Sequence, residues 1–79
     1  MNYRLLYFAS LADRAGTSSE SRSSAARTPR ELYGEVAAVH AFTLAPERLR
    51  VAANGAFVGW DDALADGDEV VFLPPVSGG

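Results

Sequence analysis

The chain contains no cysteine and no lysine. Without cysteine there is no disulfide framework, no thiolate nucleophile and no cysteine-ligated metal site. Without lysine there is no amine for Schiff-base chemistry and none to receive a side-chain modification. The seven basic residues are all arginine and stand against ten acidic ones, for a net charge of −3. That balance argues against nucleic acid as a partner, which would call for a basic footprint. No apolar run approaches the roughly 20 residues of a membrane span, and the apolar stretch in residues 1–9 is too short for the hydrophobic region of a signal peptide. The expectation is a cytoplasmic protein with no membrane partner.

Catalytic side chains are equally scarce. His40 is the single histidine, so neither a zinc site nor a His-based triad can be assembled around it, and a packed or capping role is expected. The acidic group Asp61, Asp62, Asp66, Asp68 and Glu69 does not follow the alternating-ligand spacing of a calcium loop; it reads as turn chemistry, with no metal expected. Ser77 stands before two glycines, outside any strand-to-helix elbow, with no base in reach.

What is present fits one small domain. A chain of 79 residues is expected to bury about 60% of its unfolded surface. Tyr3 to Ala9 is rich in aromatic and aliphatic residues on both parities, the pattern of a strand covered on both faces or placed centrally in a sheet. Ser10 to Thr17 carries a short turn of helical character through Leu11 and Ala12 that stops at Gly16. Thr17 to Ser24, TSSESRSS, reads as an edge strand, with a polar loop as the alternative.

Thr28-Pro29-Arg30-Glu31 is the clearest helix start: Thr28 is the N-cap, Pro29 the first helical residue and Glu31 the partner in a capping box. Leu32, Val36 and Val39, with Tyr33 and Ala37 beside them, give that helix one apolar face through about His40. Leu49 to Ala53 and Ala56 to Val58 flank Asn54-Gly55, a strong hairpin signal. Ala63-Leu64-Ala65 is a short segment between turns, and Glu69 to Leu73 forms the last strand. The order β, β, helix, β, β, β predicts an α+β domain. It has a mixed sheet of four to five strands, the first and last adjacent in its middle, and one main helix on one face.

Beyond Leu73, Pro74 and Pro75 lack N–H donors and end sheet pairing. Val76, Ser77, Gly78 and Gly79 follow. Two terminal glycines offer only backbone, conformational freedom and a carboxylate, and could thread a channel too narrow for other residues. Taken alone, they fit a frayed terminus equally well. The expected division is a domain over 1–75 and a flexible tail over 76–79. Phe8, Phe57, Trp60 and Leu73 are candidates for a partly exposed patch, with core packing as the default for each.

Four segments together resemble the MoaD family of ubiquitin-like sulfur carriers, the small subunits of molybdopterin synthase. They are Tyr7-Phe8-Ala9, Val51-Ala52-Ala53-Asn54, Leu64-Ala65-Asp66-Gly67-Asp68-Glu69-Val70, and Phe72-Leu73-Pro74-Pro75-Val76-Ser77-Gly78-Gly79. The match is close from Leu49 to Gly79, and the D-G-D-E-V to P-P-V-S-G-G block is its specific part.

The resemblance implies a β-grasp fold and a sulfurtransferase role as the sulfur-donor subunit of a heterotetrameric synthase, with the catalytic side chains in the large subunit. It also implies that Gly79 carries the reaction. A ubiquitin-activating-enzyme-like adenylyltransferase uses ATP to activate its carboxylate, and a sulfur donor protein supplies the sulfur of a thiocarboxylate. The tail, Pro74 to Gly79, enters the large subunit and gives sulfur to cyclic pyranopterin monophosphate, forming molybdopterin. No cofactor is bound by the chain itself. Phe8, Phe57 and Leu73 correspond to hydrophobic partner contacts. The family commonly has an arginine and a glutamate after the first strand, where this chain has Ala12-Asp13-Arg14. A carrier for thiazole or cysteine synthesis, a protein-conjugated modifier, and a β-grasp interaction module with an inert tail are the alternatives.

Overall fold

Strand β1 (Asn2–Tyr7) alternates cleanly: Tyr3, Leu5 and Tyr7 are buried, Asn2 and Arg4 are exposed, and Leu6 is half-buried. Helix α1 (Ala9–Ala15) follows, closed by Gly16 in the left-handed conformation at φ 76°, where glycine carries no Cβ penalty. Then come β2 (Ser19–Ser23), α2 (Pro29–His40), a 3-10 turn at Pro46–Arg48, β3 (Arg50–Ala53), β4 (Ala56–Val58) and β5 (Glu69–Leu73). The computed structural model describes residues 1–75. The expectations placed on Val76, Ser77, Gly78 and Gly79 lie outside the described residues.

The five strands form one sheet in the order β2-β1-β5-β3-β4. The first and last strands run parallel, with Tyr7 opposite Phe72, and every other neighbour is antiparallel. The two most apolar strands thus occupy the middle, as their composition predicts. Of the two readings of β1, the central place in the sheet holds and cover on both faces does not. The core side chains of helix and sheet meet on one side of the sheet, and β1's second parity lies on the other. Residues 17–24 resolve in favour of the edge strand. Glu20 and Arg22 reach α2, where Glu20 Oε2 lies 2.9 Å from His40 Nε2 and Arg22 Nε donates to Glu35 Oε1 at 3.1 Å. A strand without apolar residues is held by its ladder to β1 and by these polar side-chain contacts to α2.

Local signals explain the remaining elements. The Glu31 N–H donates to Thr28 Oγ1 at 3.2 Å, which caps α2. Asn54 and Gly55, at φ 52° and 85°, make the tight turn in which both central residues need positive φ. Asn54 also accepts from the Glu69 N–H at 3.0 Å and donates to Asp68 at 2.8 Å, tying the hairpin to the start of β5.

Two of the acidic residues act as turn formers: Asp62 accepts from the Gly59 N–H and Asp68 from the Ala65 N–H, while Asp66 reaches across to accept from the Asn2 N–H at the start of β1. Asp61 instead pairs with Arg30 at 2.9 Å, which holds its carboxyl below the ordinary range.

Between sheet and helix, Leu5, Val70, Phe72, Leu32 and Val36 have essentially no exposed surface. Each such side chain contributes about 1.5–3 kcal/mol relative to exposure. Val39 does not join them; it is 59% exposed. At 100° per residue, His40 falls within about 20° of Pro29 and Tyr33 within about 40°, while Val39 lies about 80° off that line. His40 therefore completes the stripe, packing edge-on to Tyr7 at 5.6 Å.

Candidate functional site

Strand β5 delivers the C-terminal segment. Because β1 and β5 are parallel, both end on the same side of the domain, where α1 begins and α2 ends. Phe8 keeps extended backbone (φ −127°, ψ 154°), so alternation turns it away from the buried Tyr7. Ala9 then takes φ 50°, a conformation costly for a residue with a Cβ, and the chain turns into α1. Pro74 is half-buried and Pro75 exposed; both fall outside β5, which ends at Leu73. Pairing stops where the prolines predict.

The sheet face opposite α2 carries the candidate site. Register aligns Leu6, Val71, Ala52 and Phe57 across four strands. One step nearer the C-terminal end, Leu73 faces Arg50, and Phe8 continues that row beyond β1. Phe57 is 65% exposed, Phe8 50%, and Leu73 half-buried. Three of the four patch candidates therefore share this face. Trp60 does not: it stacks on Phe72 at 5.9 Å and meets Tyr33 edge-on at 5.7 Å, as part of the core. Away from the C-terminal end the face turns polar, with Arg4 opposite both Glu69 and Ser21.

Arg50 escapes sequence reasoning. Its guanidinium carbon lies 5.5 Å from the centroid of the Phe57 ring, within range of a cation–π contact. A depression of about 170 Å³ beside it is lined by Leu49, Arg50, Val51, Phe57, Val58 and Trp60. A larger one, about 410 Å³, lies between α1 and the segment after α2, with Leu11, Phe42 and Leu44 below a rim of Ser10, Asp13 and Arg14. No group of three or more His, Asp or Glu side chains that could hold a metal occurs among the described residues. Among the described residues, Tyr7 is the buried group left unsatisfied: its hydroxyl has no hydrogen-bond partner there. Burial, and then the carboxylate of Glu20, push its phenol well above the ordinary value. The arrangement offers recognition surface and a C-terminal strand, with no convergent acid, base and nucleophile among the described residues.

The model of the ThiS family matches residues 5–79. The chain belongs to the ThiS family. This ThiS-family chain is also 35% identical over 79 residues to the molybdopterin synthase sulfur carrier subunit of Escherichia coli, covering 96% of this chain and 98% of that one. Among solved structures it is similar to small archaeal modifier protein 1 from Haloferax volcanii, with TM-score 0.83, 26% identity and full coverage of both chains. It resembles in fold a chain of the complex of molybdopterin-converting factor subunits 1 and 2 from Helicobacter pylori, with TM-score 0.69, 21% identity and full coverage of both chains. The fold is the ubiquitin-like β-grasp, with a short second helix beside the main one.

Proposed function

We propose that this ThiS-family chain is the sulfur-carrier small subunit of a molybdopterin synthase and that the terminal carboxylate of Gly79 is its reacting group. One observation carries the reading: identity to the E. coli sulfur carrier subunit runs through nearly the whole of both chains. The bare apolar face beside the C-terminal strand supports it, because a carrier must be held by partners that supply the catalytic groups it lacks.

An α-carboxylate, with a pKa of about 3.3–3.7, is ionised at neutral pH and is a poor electrophile. An ATP-dependent adenylyltransferase partner converts it to an acyl-adenylate with release of pyrophosphate. Sulfur from a donor protein, at the oxidation level of sulfide, then displaces AMP to leave a thiocarboxylate. The charged tail enters the large subunit, where its sulfur passes to cyclic pyranopterin monophosphate, and water supplies the oxygen that restores the carboxylate. This chain's residues have three tasks in the sequence. Leu73, Phe8 and Phe57 dock the domain, Pro74 and Pro75 end the sheet, and Val76 to Gly79 present the terminus. Gly78 and Gly79 make the tail slim enough for a narrow channel.

Removing Gly79 tests the reading. The shortened protein is expected to keep its thermal unfolding midpoint and its binding to the large subunit, and to lose sulfur transfer to the pyranopterin precursor. Undiminished transfer would overturn it. The likeness to small archaeal modifier protein 1 favours a second reading, conjugation of Gly79 to a protein amine. Substrate lysines branched with the segment Val51–Gly79 after trypsin digestion, Arg50 being the last basic residue before the terminus, would support it.

A further inference from the structure

The open sheet face holds a positive charge in an unusual place. Arg4, on the polar part of that face, has Glu69 opposite it in the strand register, with no ion pair between them. Arg50 has Leu73 across from it and the Phe57 ring beneath its guanidinium, and no carboxylate lies within ion-pair distance of it among the described residues. It also rims the depression of about 170 Å³ that continues past Phe57 and Val58 to Trp60. A guanidinium laid on an aromatic face has its orientation set in advance, so less entropy is lost when a second group binds it. Its five N–H donors suit a carboxylate, which can take two of them at once.

We infer that Arg50 selects the partner that receives the C-terminal segment, by pairing with an aspartate or glutamate presented within an otherwise apolar surface of that partner. The proposal rests on the sulfur-carrier reading above and adds the partner's chemistry to it. Apolar contact with Leu6, Val71, Phe57 and Leu73 supplies attraction but little discrimination. A single desolvated charge supplies discrimination, because a partner lacking the carboxylate would bury Arg50 unpaired. The whole chain is acidic, at −3, yet the docking row carries a positive group, so long-range charge and local charge recognise different features of a partner.

Calorimetric titration of the molybdopterin synthase large subunit from the same genome provides the test, using wild type, Arg50→Glu, Arg50→Met and Arg4→Glu at low and high salt. Arg50→Glu is expected to weaken binding by about tenfold or more, as juxtaposed like charges do. Arg50→Met, which keeps an apolar stem, should weaken it several-fold and flatten the salt dependence. Arg4→Glu should bind nearly as wild type, and thermal melting should show all four proteins folded. Wild-type affinity in both Arg50 variants overturns the proposal and leaves the carrier reading standing. Equal weakening by Arg4→Glu and Arg50→Glu overturns it too, by assigning the effect to net charge. No binding by wild type removes the carrier reading, and the inference with it.

Discussion

The two faces of the sheet are made from the same strands, yet residues one position apart do different work. On the helix side, Tyr3, Leu5, Tyr7, Val51, Val70 and Phe72 are all 2% exposed or less. On the open side, Leu6, Ala52, Phe57, Val71 and Leu73 are equally apolar and remain accessible. A domain this small can cover only one face with a helix. An apolar second face therefore adds little to the stability of the free chain and has the character of a surface that a partner covers. On the proposed reading, the covered face sets folding free energy and the open face sets binding free energy.

The largest expected effect is on the covered face. Phe72→Ala removes a fully buried ring that touches Tyr33 and Trp60 and should cost about 3–5 kcal/mol in urea unfolding, a large part of the stability of a domain this size. The matching change on the open face, Phe57→Asp, should leave unfolding within about 0.5 kcal/mol of wild type while lowering affinity for the large subunit more than tenfold. If Phe57→Asp destabilised the domain as Phe72→Ala does, the division between the faces would be wrong. The outer surface of α2 belongs to neither face. A Cβ added at Gly34 meets nothing within 4 Å, so Gly34→Ala should stabilise the fold by about 0.5–1 kcal/mol and leave partner binding unchanged.

A smaller effect sharpens the covered face further. Tyr7 keeps its proton in the fold because burial, and then Glu20, raise its phenol, whereas the unfolded chain releases it above about pH 10. The native state then binds more protons than the unfolded one, so stability present at lower pH falls as pH rises beyond that value. Burial raises Tyr3 and Tyr33 in the same direction. Urea unfolding followed from pH 8 to 11 should show the decline, and Tyr7→Phe should make it shallower. Because the Tyr7 hydroxyl makes no hydrogen bond of good geometry among the described residues, the same variant should be no less stable than wild type near neutral pH.

Features set by a few adjacent residues were legible in the sequence. The Thr28 cap, the Asn54-Gly55 turn, the proline stop after Leu73 and the central place of the two most apolar strands all follow from local chemistry or composition. The β-grasp followed from the resemblance and from the element order that composition and turn signals supplied. What was not legible depends on register between distant strands or on phase along a helix. The contact of Arg50 with Phe57 requires β3 and β4 to pair as they do, with Arg50 also set across from Leu73 on β5. The exchange of Val39 for His40 at the end of α2 turns on a few tens of degrees of rotation, and on Glu20 arriving from β2 to meet the imidazole. Which of the four patch candidates would keep the default core place was not legible either; Trp60 does so because it stacks on Phe72.

Intact-mass analysis after incubation with ATP, the adenylyltransferase partner and a sulfur donor tests the central claim most directly. The account predicts a gain equal to one sulfur in place of one oxygen, located at Gly79 by fragmentation and absent from the protein lacking Gly79. An unchanged mass in the presence of an adenylyltransferase shown to be active, or a sulfur located anywhere but the terminus, would contradict it.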